Sequence, residues 1–196
     1  MPDNSAANIA GMAAGDERLH YDRVEIALHW TTAAFVAVLW LLGQGWGYLP
    51  RGSDGRHALQ DLHVSLGLLF TAVLAARILW RLGPGRRPLP ATTGLAEVAA
   101  KLVHYLLYVL LTGQVVLGWL WRWANHDPLS LFGLFTIPSP AAFTKAQKTL
   151  FGNLHGTIAN VILILAGLHA AAALFHHFAL RDGVLRRMLP AGRRGR

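Results

Sequence analysis

Cysteine is absent from the 196 residues of the chain. That excludes disulfides, iron–sulfur clusters and thiolate metal sites, and leaves histidine as the leading metal ligand. Charge is scarce too: 14% of residues are Asp, Glu, Lys or Arg, where a soluble domain of this length carries about 25%. The deficit is concentrated in four windows, Ile26 to Leu49, Leu62 to Trp80, Leu102 to Trp121 and Thr149 to Leu180, with Arg77 interrupting the second. Each approaches or exceeds the roughly 20 apolar residues that cross a hydrocarbon core. Four spans leave no room for a second domain. The first twenty residues, with Asp3, Asp16 and Glu17, have no apolar run of signal-peptide length and read as a flexible tail.

The formal charge of +8 would suit a nucleic-acid binder, but its distribution follows membrane topology. Twelve basic residues fall on one side: Arg18 and Arg23, then Arg81, Arg86, Arg87 and Lys101, then Arg181, Arg186, Arg187, Arg193, Arg194 and Arg196. Five fall on the other: Arg51, Arg56, Arg122, Lys145 and Lys148. The positive-inside rule therefore places both termini in the cytoplasm. Arg77 lies near the cytoplasmic end of its span, where the expectation is a side chain that snorkels to head groups, the alternative being charge pairing with a cofactor.

Backbone groups in lipid must be satisfied within each span, so the spans read as helices. The expected architecture is an all-α four-helix transmembrane bundle over residues 21–190, with helices near 24–48, 60–81, 100–122 and 149–180 and a basic tail at 191–196. Pro and Gly punctuate the first two loops. The third, "RWANHDPLSLFGLFTIPSPAAFTKAQK", is apolar for an exposed segment. Phe132, Leu134, Phe135 and Ile137 suit either a lid in the outer interface or a plain aromatic belt.

Asn153 to Leu180 contains no formally charged side chain but four histidines, His155, His169, His176 and His177. An unsatisfied imidazole in lipid costs several kcal/mol, so intramembrane histidines are functional candidates. His155 and His169 are fourteen residues apart. That is within about 40° of four full helical turns and about 21 Å of rise. Both rings thus project from one helix face at two depths. Crossing order brings His63 to the depth of His155, and His29 to that of His169, with His104 the alternative at the inner level. His57 and His126 fall in outer loops, His20 in the tail, and His176 and His177 at the inner interface.

Zinc usually takes four protein ligands or three and a water, and no Asp, Glu or Cys lies deep in a span. A haem supplies four nitrogens and needs only axial ligands. The expected centre is therefore a pair of b-type haems with iron held by His63/His155 and His29/His169. Gly67, Gly118, Gly156 and Gly167 could relieve crowding against a porphyrin, or serve ordinary helix packing.

The segments "IALHW", "LHVSLG", "LHGTIANVILILAGLHAAAALFHHF" and "LRRMLP" resemble the bacterial cytochrome b-561 family of four-helix di-haem membrane proteins, over about Arg18 to Pro190. The resemblance is strongest to the superoxide oxidase-like branch. By motif it carries the ligands onto His29, His63, His155 and His169. It implies haem b, a bacterial inner (plasma) membrane location, and transfer of electrons from superoxide to ubiquinone. The outer loop departs from the family pattern in its tryptophans, Trp119, Trp121 and Trp123. Two alternatives stand beside it. One is an electron-relay subunit serving another dehydrogenase or partner protein. The other is a histidine-based metal or proton transporter. Catalytic residues beyond the ligands are unknown at this stage.

Overall fold

Asp22 opens the first long helix by accepting a hydrogen bond from the Glu25 backbone N–H at 2.9 Å, the usual N-cap arrangement. In the computed structural model, which describes residues 20–86 and 88–189, α1 spans Arg23–Gly45 and tightens into a 3₁₀ turn at Trp46–Tyr48. Residues 1–19, Arg87 and residues 190–196 lie outside that description, and with them the basic tail expected at 191–196 and nearly all of the N-terminal tail expected at 1–20. Ser53 caps α2, Asp54–Leu82. After a Pro- and Gly-rich loop, α3 spans Leu95–Ala124. A reciprocal capping box between Thr144 and Gln147 starts α4, Lys145–Phe175, which continues as a π-helical turn at His176–Leu180.

All four helices are long and apolar enough to cross a membrane. The last three begin earlier than their apolar windows suggest, at Asp54, Leu95 and Lys145. At α2 and α4 a polar first turn carries the helix beyond the segment that hydropathy selects, and a side-chain cap sets the start. The N-terminus of α1 adjoins the C-terminus of α2, where Asp22 accepts from Trp80 Nε1 at 3.1 Å and from the Arg86 N–H at 3.0 Å. Burial raises the Asp22 pKa, but the bonds from Arg86, Glu25 and Trp80 outweigh it and hold the carboxyl below its ordinary value.

Phe70, Leu74, Leu111 and Ile162 form a buried cluster, packed by Phe35, Leu39, Ile78 and Ile158. It sits at mid-helix, between the positions of His63 and Arg77 on α2 and between those of His155 and His169 on α4. Elsewhere large apolar side chains such as Leu79, Val98, Leu102, Val109 and Ile164 face outward, as lipid-facing helices require.

The third loop contains an element absent from the sequence reading. Leu129–Leu131 (β1) and Phe135–Ile137 (β2) pair antiparallel, Ser130 opposite Thr136. Its turn has positive φ at Phe132 and Gly133, 48° and 75°. Gly133 takes this freely, whereas a phenylalanine must be held there. The hold comes from α2: Ser65 Oγ accepts from the Phe132 N–H at 2.9 Å and donates to the Ser130 carbonyl at 3.1 Å. Trp119, Trp121 and Trp123, assigned above to the loop, lie in the last turns of α3.

Candidate functional site

Four helices bring residues fourteen positions apart to two levels. On α4 these are His155 and His169, on α2 His63 and Arg77, on α1 Gly43 and His29, and on α3 Gly118 and His104. Fourteen residues is close to four turns, so each pair lies on one stripe of its helix. The contacts below place the members in two tiers, named outer (Gly43, His63, Gly118, His155) and inner (His29, Arg77, His104, His169) after the orientation expected from the basic residues.

In the outer tier the rings of His63 and His155 are 6.2 Å apart at 75°. Each has a buried Nδ1 without a hydrogen-bond partner. Gly118 allows close approach: a Cβ there would lie 3.1 Å from His155 Cε1, and one at Gly43 would lie 3.8 Å from His63 Cε1. The ring of Trp46 stands edge-on to His63 at 5.1 Å, and Trp121 lies 5.7 Å from His155. Trp121 reaches that place by crossing Gly152, where a Cβ would come within 2.8 Å of its Nε1. Gln114 Nε2 donates to the His155 carbonyl at 3.0 Å, tying α3 to α4.

In the inner tier His29 and His169 are 6.3 Å apart at 61°. His104 is closer to His169, at 5.0 Å, and its Nδ1 is hydrogen-bonded to the Ala100 carbonyl at 2.6 Å. Arg77 does not reach for head groups. It is 8% exposed, donates from Nη2 to His29 Nδ1 at 2.9 Å, and lies over the Tyr108 ring at 5.3 Å. Depth alone suggested snorkelling. The face decides otherwise, because position 77 continues the inward stripe of His63, Phe70 and Leu74.

Two imidazole nitrogens on one metal, each at about 2 Å, place the ring centres about 6 Å apart once the ring radii are added. The separations in the His63/His155 and His29/His169 pairs fit that dimension; His104 and His169 are too close for it. Among the described residues no group of three or more His, Cys, Asp or Glu is set to hold a bare metal ion. A group that brings its own equatorial nitrogens and takes two axial imidazoles therefore suits this donor set. Of the four glycines considered from sequence, only Gly118 meets an imidazole; a Cβ at Gly67, Gly156 or Gly167 would meet nothing within 4 Å. The contributions of Gly43, Gly152, Ser65 and Gln114 escaped the sequence reading. For Gly43, its fourteen-residue interval from His29 was the available signal.

At the inner end His176 Nδ1 is hydrogen-bonded to the Asp182 carboxylate, which keeps that carboxyl below its ordinary pKa. His177, Phe178, Arg181, Gly183 and Arg186 line a cavity there of about 250 Å³. At the outer end Lys145 and Lys148 line a cavity of about 360 Å³ with His126, Phe143, Thr144 and Thr149. Two of the other outer cations are engaged: Arg122 with Asp61 and Asp127 at 3.6 and 3.4 Å, and Arg56 with the Trp46 and Leu49 carbonyls.

Comparison with known proteins gives consistent results. The family model for prokaryotic cytochrome b561 matches residues 20–191. Cytochrome b561 homolog 2 of Escherichia coli (strain K12) is 35% identical over 170 residues, covering 86% of this chain and 90% of that protein. Cytochrome b561 homolog 1 of the same strain is 29% identical over 173 residues, 87% and 97% of the two chains. A probable superoxide oxidase CybB of Yersinia pestis is 29% identical over 178 residues, 88% and 97%. The chain belongs to the prokaryotic cytochrome b561 family, multi-pass membrane cytochromes of electron transport that bind haem b.

Proposed function

We propose that the chain is a di-haem electron carrier that takes electrons from superoxide at its outer face and delivers them to membrane ubiquinone. The observation that carries the two-haem part is the pair of matched imidazole separations, 6.2 and 6.3 Å, one in each tier. His63 and His155 would hold the outer haem, His29 and His169 the inner one. Haem b held by two imidazoles supplies one-electron exchange with no open position for oxygen chemistry.

The chain's own residues then bind, orient and exclude water. Trp46 and Trp121 wall the outer tier, and the buried apolar cluster between the tiers keeps water from the path. Two superoxide anions give up one electron each and leave as dioxygen; the two electrons and two protons convert ubiquinone to ubiquinol. The superoxide part is supported by the resemblance to the probable superoxide oxidase and by the Lys145/Lys148 cavity, which would attract a small anion. The basic asymmetry supports both termini in the cytoplasm of a bacterial inner membrane.

A superoxide pulse in rapid-mixing spectroscopy tests this. Haem reduction should be fast, should slow with added salt as screening shortens towards a Debye length of about 8 Å, and should slow in the Lys145→Gln/Lys148→Gln double variant with haem content unchanged. Ubiquinone should reoxidise the haems. Haems that stay oxidised, or that reduce independently of salt and of these lysines, would contradict it. A relay subunit for another dehydrogenase is the second reading, favoured by the exposed apolar hairpin residues Phe132, Leu134 and Phe135, and that outcome would support it.

A further inference from the structure

The two tiers differ in charge. Where the outer tier has Gly43 and Gly118, the inner tier has the guanidinium of Arg77 and the imidazole of His104. We propose that Arg77 is the counter-ion of the inner haem, pairing with one of its propionate carboxylates. This rests on the two-haem reading and adds to it.

A buried guanidinium without an anion is strongly unfavourable. Among the described residues no carboxylate forms an ion pair with Arg77. Its Nε has no hydrogen-bond partner. Glu25, buried one turn before His29, is within electrostatic reach of Arg81 and Arg77, yet its Oε2 is also without a partner. Among the described residues, the side chain that Arg77 hydrogen-bonds is a proposed ligand, through Nδ1 of His29.

That bond is incompatible with ordinary iron ligation. When iron takes Nε2 of a neutral imidazole, the ring proton must sit on Nδ1. There it would oppose the Arg77 N–H, since arginine has donors only. Arg77 must then turn to another acceptor, and a haem brings two carboxylates. The stripe it shares with His63 keeps it facing the cofactor column, and Tyr108 supports its plane.

The test uses the purified full-length holoprotein, grown with 5-aminolevulinate carrying carbon-13 in its carboxyl group so that the haem propionates are labelled. Redox-difference infrared spectra are recorded for wild type, Arg77→Gln and Arg77→Lys. In Arg77→Gln the labelled carboxylate band linked to inner-haem reduction should move or be replaced by a protonated-acid band, the outer-haem signal staying put. Arg77→Lys should keep a carboxylate band, displaced from wild type because the forked donor is lost. If Arg77→Gln fails to hold the inner haem, Arg77→Lys alone decides. Labelled bands identical to wild type, with both haems present, would overturn the proposal, whether or not the inner potential changes; such a change would then point to an action on His29. A wild type without an inner haem would overturn the two-haem reading as well.

Discussion

At the scale of single residues, the inner tier presents a choice that the outer tier does not. Two imidazoles, those of His29 and His104, approach His169, and the nearer is His104. Nearness is the wrong criterion when a metal must fit between the rings. The 6.3 Å pair matches the outer tier, and the 5.0 Å pair does not. On the proposed assignment, His104→Ala should retain both haems with a shifted inner potential, because it removes a neighbour of a proposed ligand and not a proposed ligand. His29→Ala should lose the inner haem and keep the outer one. Visible spectra with haem quantification check both, and loss of a haem from His104→Ala alone would transfer the ligand role. The ligand candidates were legible in the sequence because histidines in an apolar segment are rare and their fourteen-residue interval is an angle as well as a length. Arg77 was misread because depth was considered without face, although its fourteen-residue interval from His63 was available.

At the scale of elements, the helices could be read from hydropathy, since each satisfies its own backbone and needs no partner to be recognised. Their starts could not, because the caps Ser53 and Thr144 lie outside the apolar windows. The β1–β2 hairpin was illegible for a different reason. Its strands have three residues each, and its strained turn is fixed by Ser65, which is distant in sequence. Ser65 is 3% exposed. Ser65→Ala leaves the Phe132 N–H and the Ser130 carbonyl without that partner, a cost of about 1–3 kcal/mol. The expected result is faster proteolysis within Ser130 to Thr136 with both haems retained. Unchanged protection of the hairpin would show that its strands hold it without the help of α2.

At the scale of the whole molecule, one interval of four helical turns organises all four spans, so that each contributes one residue to each tier. The tiers share their imidazole geometry and differ in their remaining members, glycine outside and Arg77 with His104 inside. If each tier holds a haem as proposed, the cation and the extra imidazole beside the inner one would set the two potentials apart. This arrangement depends on both tiers holding a haem. The most direct measurement is the ratio of haem b to polypeptide in the purified wild-type protein, by pyridine haemochrome absorbance against amino-acid analysis. The account predicts two haems per chain; a ratio of one, or none, would contradict it.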